Sequence, residues 1–210
     1  MDAIVVIGGG GHAKVVISIL RKLKRYHILG YTDLQDHRAV LEAPYLGSDR
    51  ELAALVAGTK KLNAVLAVGQ VGLGEKRSEL WMRLHSPALS FPLIISPDAI
   101  VNEGVSGGEG AVVMDGAVIN SGATIGRGAI VNTNSTVEHD AVLADWVHVA
   151  PGATISGGVV VGQFSMIGAG ATVIEGIKIA AGCMVGAGAV VVHDLTERGV
   201  YVGNPARRIK

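Results

Sequence analysis

The chain changes its hydrophobic rhythm part-way along. From Ile95 an aliphatic residue returns at every sixth position: Ile95, Val101, Val113, Ile119, Ile125, Val131, Val137, Leu143, Val149, Ile155, Val161, Ile167, Val173, Ile179, Val185 and Val191, with Gly107 as the one exception. Two residues earlier a small side chain recurs, as at Ala111, Ala117, Ala123, Ala129, Ala141, Ala153, Ala171 and Ala189. Three residues later glycine recurs, as at Gly116, Gly122 and Gly158. Such a unit is a short strand and a turn: the aliphatic residue points inward, the small residue fills a narrow corner, and glycine takes the bend. Three units make a triangular coil of 18 residues, so residues 95–194 are expected to stack five to six coils into a parallel β-helix. An antiparallel sandwich would show alternating faces with turn signals every ~8–12 residues. Residues 195–210 follow as a C-terminal tail.

Residues 1–94 have a different pattern. Apolar runs at 3–7, 27–32, 63–68 and 89–95 predict strands, and helical spacing predicts helices near 12–25, 49–57 and 73–86. The alternation implies a small Rossmann-like α/β unit with a parallel sheet. Gly8-Gly9-Gly10-Gly11-His12-Ala13-Lys14 falls between the first strand and the first helix, where backbone amides and the helix N-terminus supply partial positive charge to a phosphate. The run contains the G-x-G-x-x-A form of the dinucleotide fingerprint, and Asp33 stands at a distance suited to a ribose hydroxyl. A full dinucleotide domain needs two halves, and this unit has room for little more than one. A single nucleotide carrying a small group fits better. His12 either touches the diphosphate or caps the loop, and Lys14 reads as a solvated charge.

The 18 basic and 18 acidic residues cancel, which argues against a nucleic acid or an anionic membrane as partner. No apolar run reaches the ~18–20 residues of a membrane span. The N-terminus enters directly into Ile4-Val5-Val6-Ile7 without a basic leader, so a cytoplasmic location is expected. The single cysteine, Cys183, excludes an intramolecular disulfide and reads as a small packed residue.

Of the seven histidines, only His139 and His148 lie in the middle coils. Asp140 follows His139 at a turn position where neighbouring units carry glycine. A carboxylate there can orient the imidazole tautomer and stabilise an imidazolium, the alternative being a solvated turn pair. His148 is nine residues on, half a coil, so it lies across the prism from His139 and the two can share a site only between subunits. A three-histidine zinc site is excluded by that spacing, because no further histidine lies between Ile95 and Val192. Trp146 and Phe164, 18 residues apart, replace glycine at one corner and are expected to stack as a packing cluster, the alternative being a ligand platform.

The hexad pattern resembles the hexapeptide-repeat acyltransferases, whose coils run left-handed. That resemblance implies a homotrimer with acetyl-coenzyme A in the groove between two helices. Over its whole length the chain resembles a narrower family, the sugar O- and N-acetyltransferases related to sialic acid acetyltransferases and to enzymes that acetylate UDP-4-amino-4,6-dideoxy sugars. The matching segments are Ile7 to Val16, Gly30-Tyr31-Thr32-Asp33, Ala67-Val68-Gly69, and Asn132-Thr133-Asn134-Ser135-Thr136-Val137-Glu138-His139-Asp140. The resemblance implies nucleotide-sugar contacts from Gly10, Gly11, His12, Thr32, Asp33 and Gly69. It implies His139 as general base with Asp140 orienting it, although the family often has the longer Glu there. It further implies that His148 and the backbone at Ala169 and Ala187 meet acetyl-coenzyme A, with no metal. Val200 to Arg208 resembles the terminal motif of many of these acyltransferases, which puts Arg207 and Arg208 either at the cofactor phosphates or in solvent. The expected reaction is N-acetylation of a UDP-linked amino-dideoxy sugar in glycan assembly. O-acetylation of a hydroxyl, as on sialic acid, and nucleotide-sugar binding without catalysis are the alternatives.

Overall fold

A computed structural model of the chain describes residues 1–57 and 61–210. The N-terminal unit runs β1 (Asp2–Ile7), α1 (Gly11–Leu23), β2 (Tyr26–Thr32), the two-residue strands β3 (Ala39–Val40) and β4 (Ala43–Pro44), α2 (Asp49–Ala57), β5 (Leu62–Leu66), α3 (Glu75–Leu84) and β6 (Leu89–Ser90). Its four-stranded sheet has the order β2-β1-β5-β6, with every pair parallel. Ile4, Val5, Val6 and Ile7 are all buried, because a parallel sheet is covered on both faces. The apolar stripe of α1, Ala13, Val16, Ile17, Ile19 and Leu20, lies against the sheet, and Lys24 ends the helix in the left-handed conformation. The strand expected over 89–95 divides in two. Leu89–Ser90 closes the sheet, and Ile94–Ile95 opens the next domain.

From Ile94 the chain winds as a left-handed parallel β-helix of about six turns. Two-residue strands pair with those one coil away at a register of 18 residues, as in Val113 with Val131 and Val137 with Ile155, and the last coil is shorter, with Cys183 pairing with Gly199. Three faces result. The first runs from Ile94–Ile95 through His148–Val149 to Cys183–Val185, the second starts at Ile100–Val101 and the third at Ser106–Gly107. The hexad residues form the interior column, with Val131, Val137, Leu143, Val149 and Ile155 at zero exposure. Gly107 breaks the hexad because Leu93 occupies its place: a Cβ there would lie 2.5 Å from Leu93 Cδ2. Cys183 is buried and donates its thiol hydrogen to the Glu197 carbonyl. The tail is folded, with Gly199–Val202 adding to the first face and Arg207–Arg208 turning back antiparallel on it.

What positions the two domains is the outward residue of each rung. On the second face it is Ile100, Val118, Thr136, Thr154, Thr172 or Val190, and on the third Ser106, Thr124, Val142, Val160 or Lys178. On the first face it is Ile94, Val112, Ile130, His148, Met166 or Met184. Ile94, Val112 and Ile130 have zero exposure because they pack into one cluster with Ile4, Val6 and Ile17. Burying such side chains contributes roughly 1.5–3 kcal/mol each. At one margin Lys22 binds Asp98 and Asp115 at 2.7 and 2.6 Å. At the other, Trp146 meets Trp81 of α3 edge-on at 6.0 Å between centroids. Phe164 packs against the same cluster. The two aromatic residues therefore hold α3 to the coil, which explains why two left-handed turn positions carry rings instead of glycine. Among the described residues no helix is long and apolar enough to cross a membrane.

Ile130→Ala should lower stability by about 2–5 kcal/mol in denaturant unfolding, because it opens a cavity in this seam. Lys178→Ala, at an outward position of the third face, should change it by less than about 0.5 kcal/mol.

Candidate active site

His139 and Asp140 occupy the turn that joins the second face to the third. Asp140 takes the left-handed position at φ 58°, a conformation that Asp tolerates better than most side chains. His139 Nδ1 lies 2.9 Å from Asp140 Oδ2, so the shorter carboxylate does reach the ring. A carboxylate only accepts, which makes Nδ1 the protonated nitrogen and leaves the Nε2 lone pair free. The pair is exposed, and the hydrogen bond to Asp140, helped by the charges of Glu138 and Glu175, raises the imidazole pKa above 6.5.

The glycine loop lies at the C-terminal ends of the strands. Gly8 donates to the Thr32 carbonyl at 2.7 Å, and Gly9 donates to Asp33 Oδ2 at 2.6 Å. Tyr31 and His37 close over Gly9, leaving no space for a side chain there. A Cβ at Gly10 or Gly11 would meet nothing within 4 Å, so this part of the loop is open. The N-terminus of α1 has no side-chain cap, and its amides face the opening. Beside it a cleft of about 240 Å³ is lined by Ile7, Gly8, Thr32, Asp33, Leu34, Val68, Leu80 and Arg83. Its position outside the carboxyl ends of parallel strands is where α/β sheets bind ligands. A larger cleft of about 630 Å³, between α2 and α3, opens away from the loop.

His12 turns away from the loop mouth. Its Nε2 is buried without a hydrogen-bond partner among the described residues, and its pKa is lowered to about 3, by burial first and then by the charges of Arg77 and His148. Gly69 lies beside it, 3.4 Å from His12 Cβ to the position a Gly69 Cβ would take. His148 was expected to face another chain. In the structure it is 6% exposed, beneath the loop that follows β5. Its Nδ1 donates to the Gln70 carbonyl at 3.0 Å, and its Nε2 stands 3.0 Å from Asn132 Nδ2. Since Nδ1 carries the proton, Nε2 is the acceptor. Burial lowers the pKa of His148 to about 4. Arg77 completes this seam, donating to the Val68 carbonyl at 3.0 Å and to the Gly128 carbonyl at 2.7 Å. The sequence reading missed Gln70 and Arg77, which no spacing distinguishes. Ala169 and Ala187 are exposed on successive turns of the edge that follows the first face, joined by the Gly188 amide bonding the Ala169 carbonyl at 2.9 Å.

The PglD N-terminal domain family matches residues 3–79. A variant of perosamine N-acetyltransferase from Caulobacter crescentus, solved with CoA and GDP-perosamine, is 37% identical with a TM-score of 0.93. The match covers 100% of this chain and 98% of that one. The chain belongs to this family of sugar acetyltransferases. The acetyltransferase domain of PglB from Neisseria gonorrhoeae is 33% identical over the full length of both chains, with a TM-score of 0.89. WeeI from Acinetobacter baumannii, at 24% identity and a TM-score of 0.86, covers both chains fully and shares the fold. No curated protein sequence matches the chain. Among the described residues no group of three or more His, Cys, Asp or Glu side chains converges as a metal site.

These environments fix two opposite titrations. By NMR the His139 imidazole should titrate above 6.5 and fall toward that value in Asp140→Asn, while His148 stays neutral down to about pH 4. His12 and His148 have folded-state pKa values below the unfolded 6.5, so their contribution is complete above pH 6.5 and is lost as pH falls toward 4 and 3. Unfolding midpoints should therefore decline in that window, and His148→Gln should flatten the decline.

Proposed function

We propose that the chain transfers the acetyl group of acetyl-coenzyme A to the amine of a nucleotide-linked 4-amino-4,6-dideoxy sugar, with His139 as general base and Asp140 as its orienter. The observation that carries this reading is the His139–Asp140 bond, which leaves Nε2 as a free base on an exposed turn. The open glycine loop of the same chain supplies a seat for a diphosphate. Nε2 takes a proton from the neutral amine as its nitrogen attacks the thioester carbonyl. The C–N bond forms, the tetrahedral oxyanion collapses, the C–S bond breaks, and the imidazolium returns its proton to the departing thiolate.

Gly10, Gly11, Thr32, Asp33 and Gly69 border the nucleotide-sugar in this reading. His12 backs the loop from the seam. Asp33 accepts the Gly9 amide at Oδ2 and the Gln35 amide at Oδ1, and the remaining lone pair of Oδ1 is the one offered to a ribose. Ala169 and Ala187 leave room for the pantetheine arm along their edge, and His148, one strand before that edge, offers only a ring margin to it. The support for an amine acceptor is that the C. crescentus relative is a perosamine N-acetyltransferase solved with CoA and GDP-perosamine. Variants of that enzyme with one histidine replaced by asparagine or alanine were solved with the same two ligands, which supports a histidine acting in the chemistry more than in binding. The resemblance in sequence favours a UDP carrier, and that relative brings a GDP carrier into the same test.

The site is shared between chains. The N-terminal unit covers the first face, while the His139 turn is the edge opposite that face. A sugar held by the glycine loop therefore meets the His139 of a neighbouring protomer, as a homotrimer provides. The reading places the enzyme in the cytoplasm, where acetyl-coenzyme A is available.

Coenzyme A release should be observed with UDP- or GDP-linked 4-amino sugars and not with their 4-hydroxy counterparts. Equal turnover on the hydroxy sugars would contradict the amine assignment. His139→Ala should lower turnover by about 10²- to 10⁴-fold with the fold intact. Gly10→Asp places a favourable N-cap carboxylate where the diphosphate would sit, so it should raise the KM for the nucleotide-sugar without lowering the unfolding midpoint.

A further inference from the structure

The column that carries His139 consists of one turn residue per coil: Glu103, Ser121, His139, Gly157, Glu175 and His193. These turns stack in register. The Gly158 amide donates to the His139 carbonyl at 2.9 Å, and the Gly176 amide donates to the Gly157 carbonyl at 3.0 Å. Gly157 alone in the column has no side chain. Its backbone does not ask for glycine: the left-handed position of that turn belongs to Gly158, at φ 62°, and Gly157 lies outside the positive region. The crowding that excludes a side chain comes from the imidazole. A Cβ at 157 would lie 2.6 Å from His139 Nε2, 2.7 Å from Cε1 and 3.3 Å from Cδ2, and these are its three nearest atoms.

We infer that Gly157 is a positioning residue for the acetyl transfer, because its missing side chain is the seat into which the Nε2 edge of His139 folds. The inference rests on the proposed role of His139 as base. Non-bonded carbon contacts settle at about 3.5–4.0 Å, so a methyl group at 157 drives the ring back by roughly 1 Å. Nδ1 is tethered to Asp140, and the ring cannot retreat that far and keep both the tether and the aim of Nε2. The atoms that collide are the end of an exposed, flexible side chain, so the coil itself is undisturbed. A displacement of this size at the reacting group costs on the order of 10²-fold in rate.

The experiment compares wild type, Gly157→Ala, His139→Ala and the double variant. Gly157→Ala should lower kcat by about 10- to 100-fold while leaving KM for both substrates within about threefold. Its unfolding midpoint should match wild type, and the His139 pKa measured by NMR should fall as the ring leaves Asp140. The double variant should be no slower than His139→Ala. Wild-type kcat in Gly157→Ala, or a further loss in the double variant beyond His139→Ala, would overturn the positioning role. Near-normal turnover in His139→Ala would instead overturn the base assignment, whichever result Gly157→Ala gives. A fall in kcat with an unshifted His139 pKa and a lowered unfolding midpoint would make Gly157 a folding residue and also count against the inference.

Discussion

Everything in the C-terminal domain depends on one hydrogen-bond register, in which each two-residue strand pairs with the strand 18 positions away. Within that register the residues of neighbouring coils lie directly over one another, and a side chain's surroundings are set by its column. The interior column is aliphatic because it is dry. The left-handed turn positions are mostly glycine, and of the four exceptions, Asn134, Asp140, Trp146 and Phe164, three carry a further contact. Asp140 holds His139, whereas Trp146 and Phe164 hold α3. The same register delivers the Nε2 edge of His139 onto Gly157.

The second constraint is the seam between the domains. The first face presents Ile94, Val112 and Ile130, and the N-terminal unit can cover them only by burying polar groups along the same line. Arg77 resolves part of this by bonding one carbonyl from each domain, and burial lowers its pKa to about 10 without neutralising it near physiological pH. His148 resolves another part as a neutral ring, with a carbonyl at Nδ1 and an amide at Nε2. That ring links the loop after β5 to Asn132, which begins the run leading to His139. The glycine-loop domain and the coils leading to His139 thus share a hydrogen-bonded, buried boundary.

Much of this was legible in the sequence where the signal is local or periodic. The hexad period marks the coils, the glycine run marks the open turn between the first strand and the first helix, and adjacency marks the His139–Asp140 pair. The break at Gly107 needed the structure, since Leu93 fills it from outside the repeat. The strands Ala39–Val40 and Ala43–Pro44 are too short to leave a period. His148 is covered by the N-terminal unit of its own chain, through a contact with Gln70 that is distant in sequence and leaves no local period. Gln70 and Arg77 act through contacts distant in sequence, and nothing local distinguishes them.

In the proposed function the site is divided by topology, with the glycine loop on one side of each protomer and His139 on the opposite edge. The most direct test is to co-assemble two chains, one slowed in turnover by His139→Ala and the other weakened in nucleotide-sugar binding by Gly10→Asp, and to measure coenzyme A release from the mixture at a nucleotide-sugar concentration well below the KM of the Gly10→Asp chain. If the site is shared, mixed assemblies pair an intact loop with an intact His139 from another chain, and a substantial fraction of wild-type activity returns. If mixed assemblies form and activity remains at the level of the separate variants, loop and base belong to one chain and the account is contradicted.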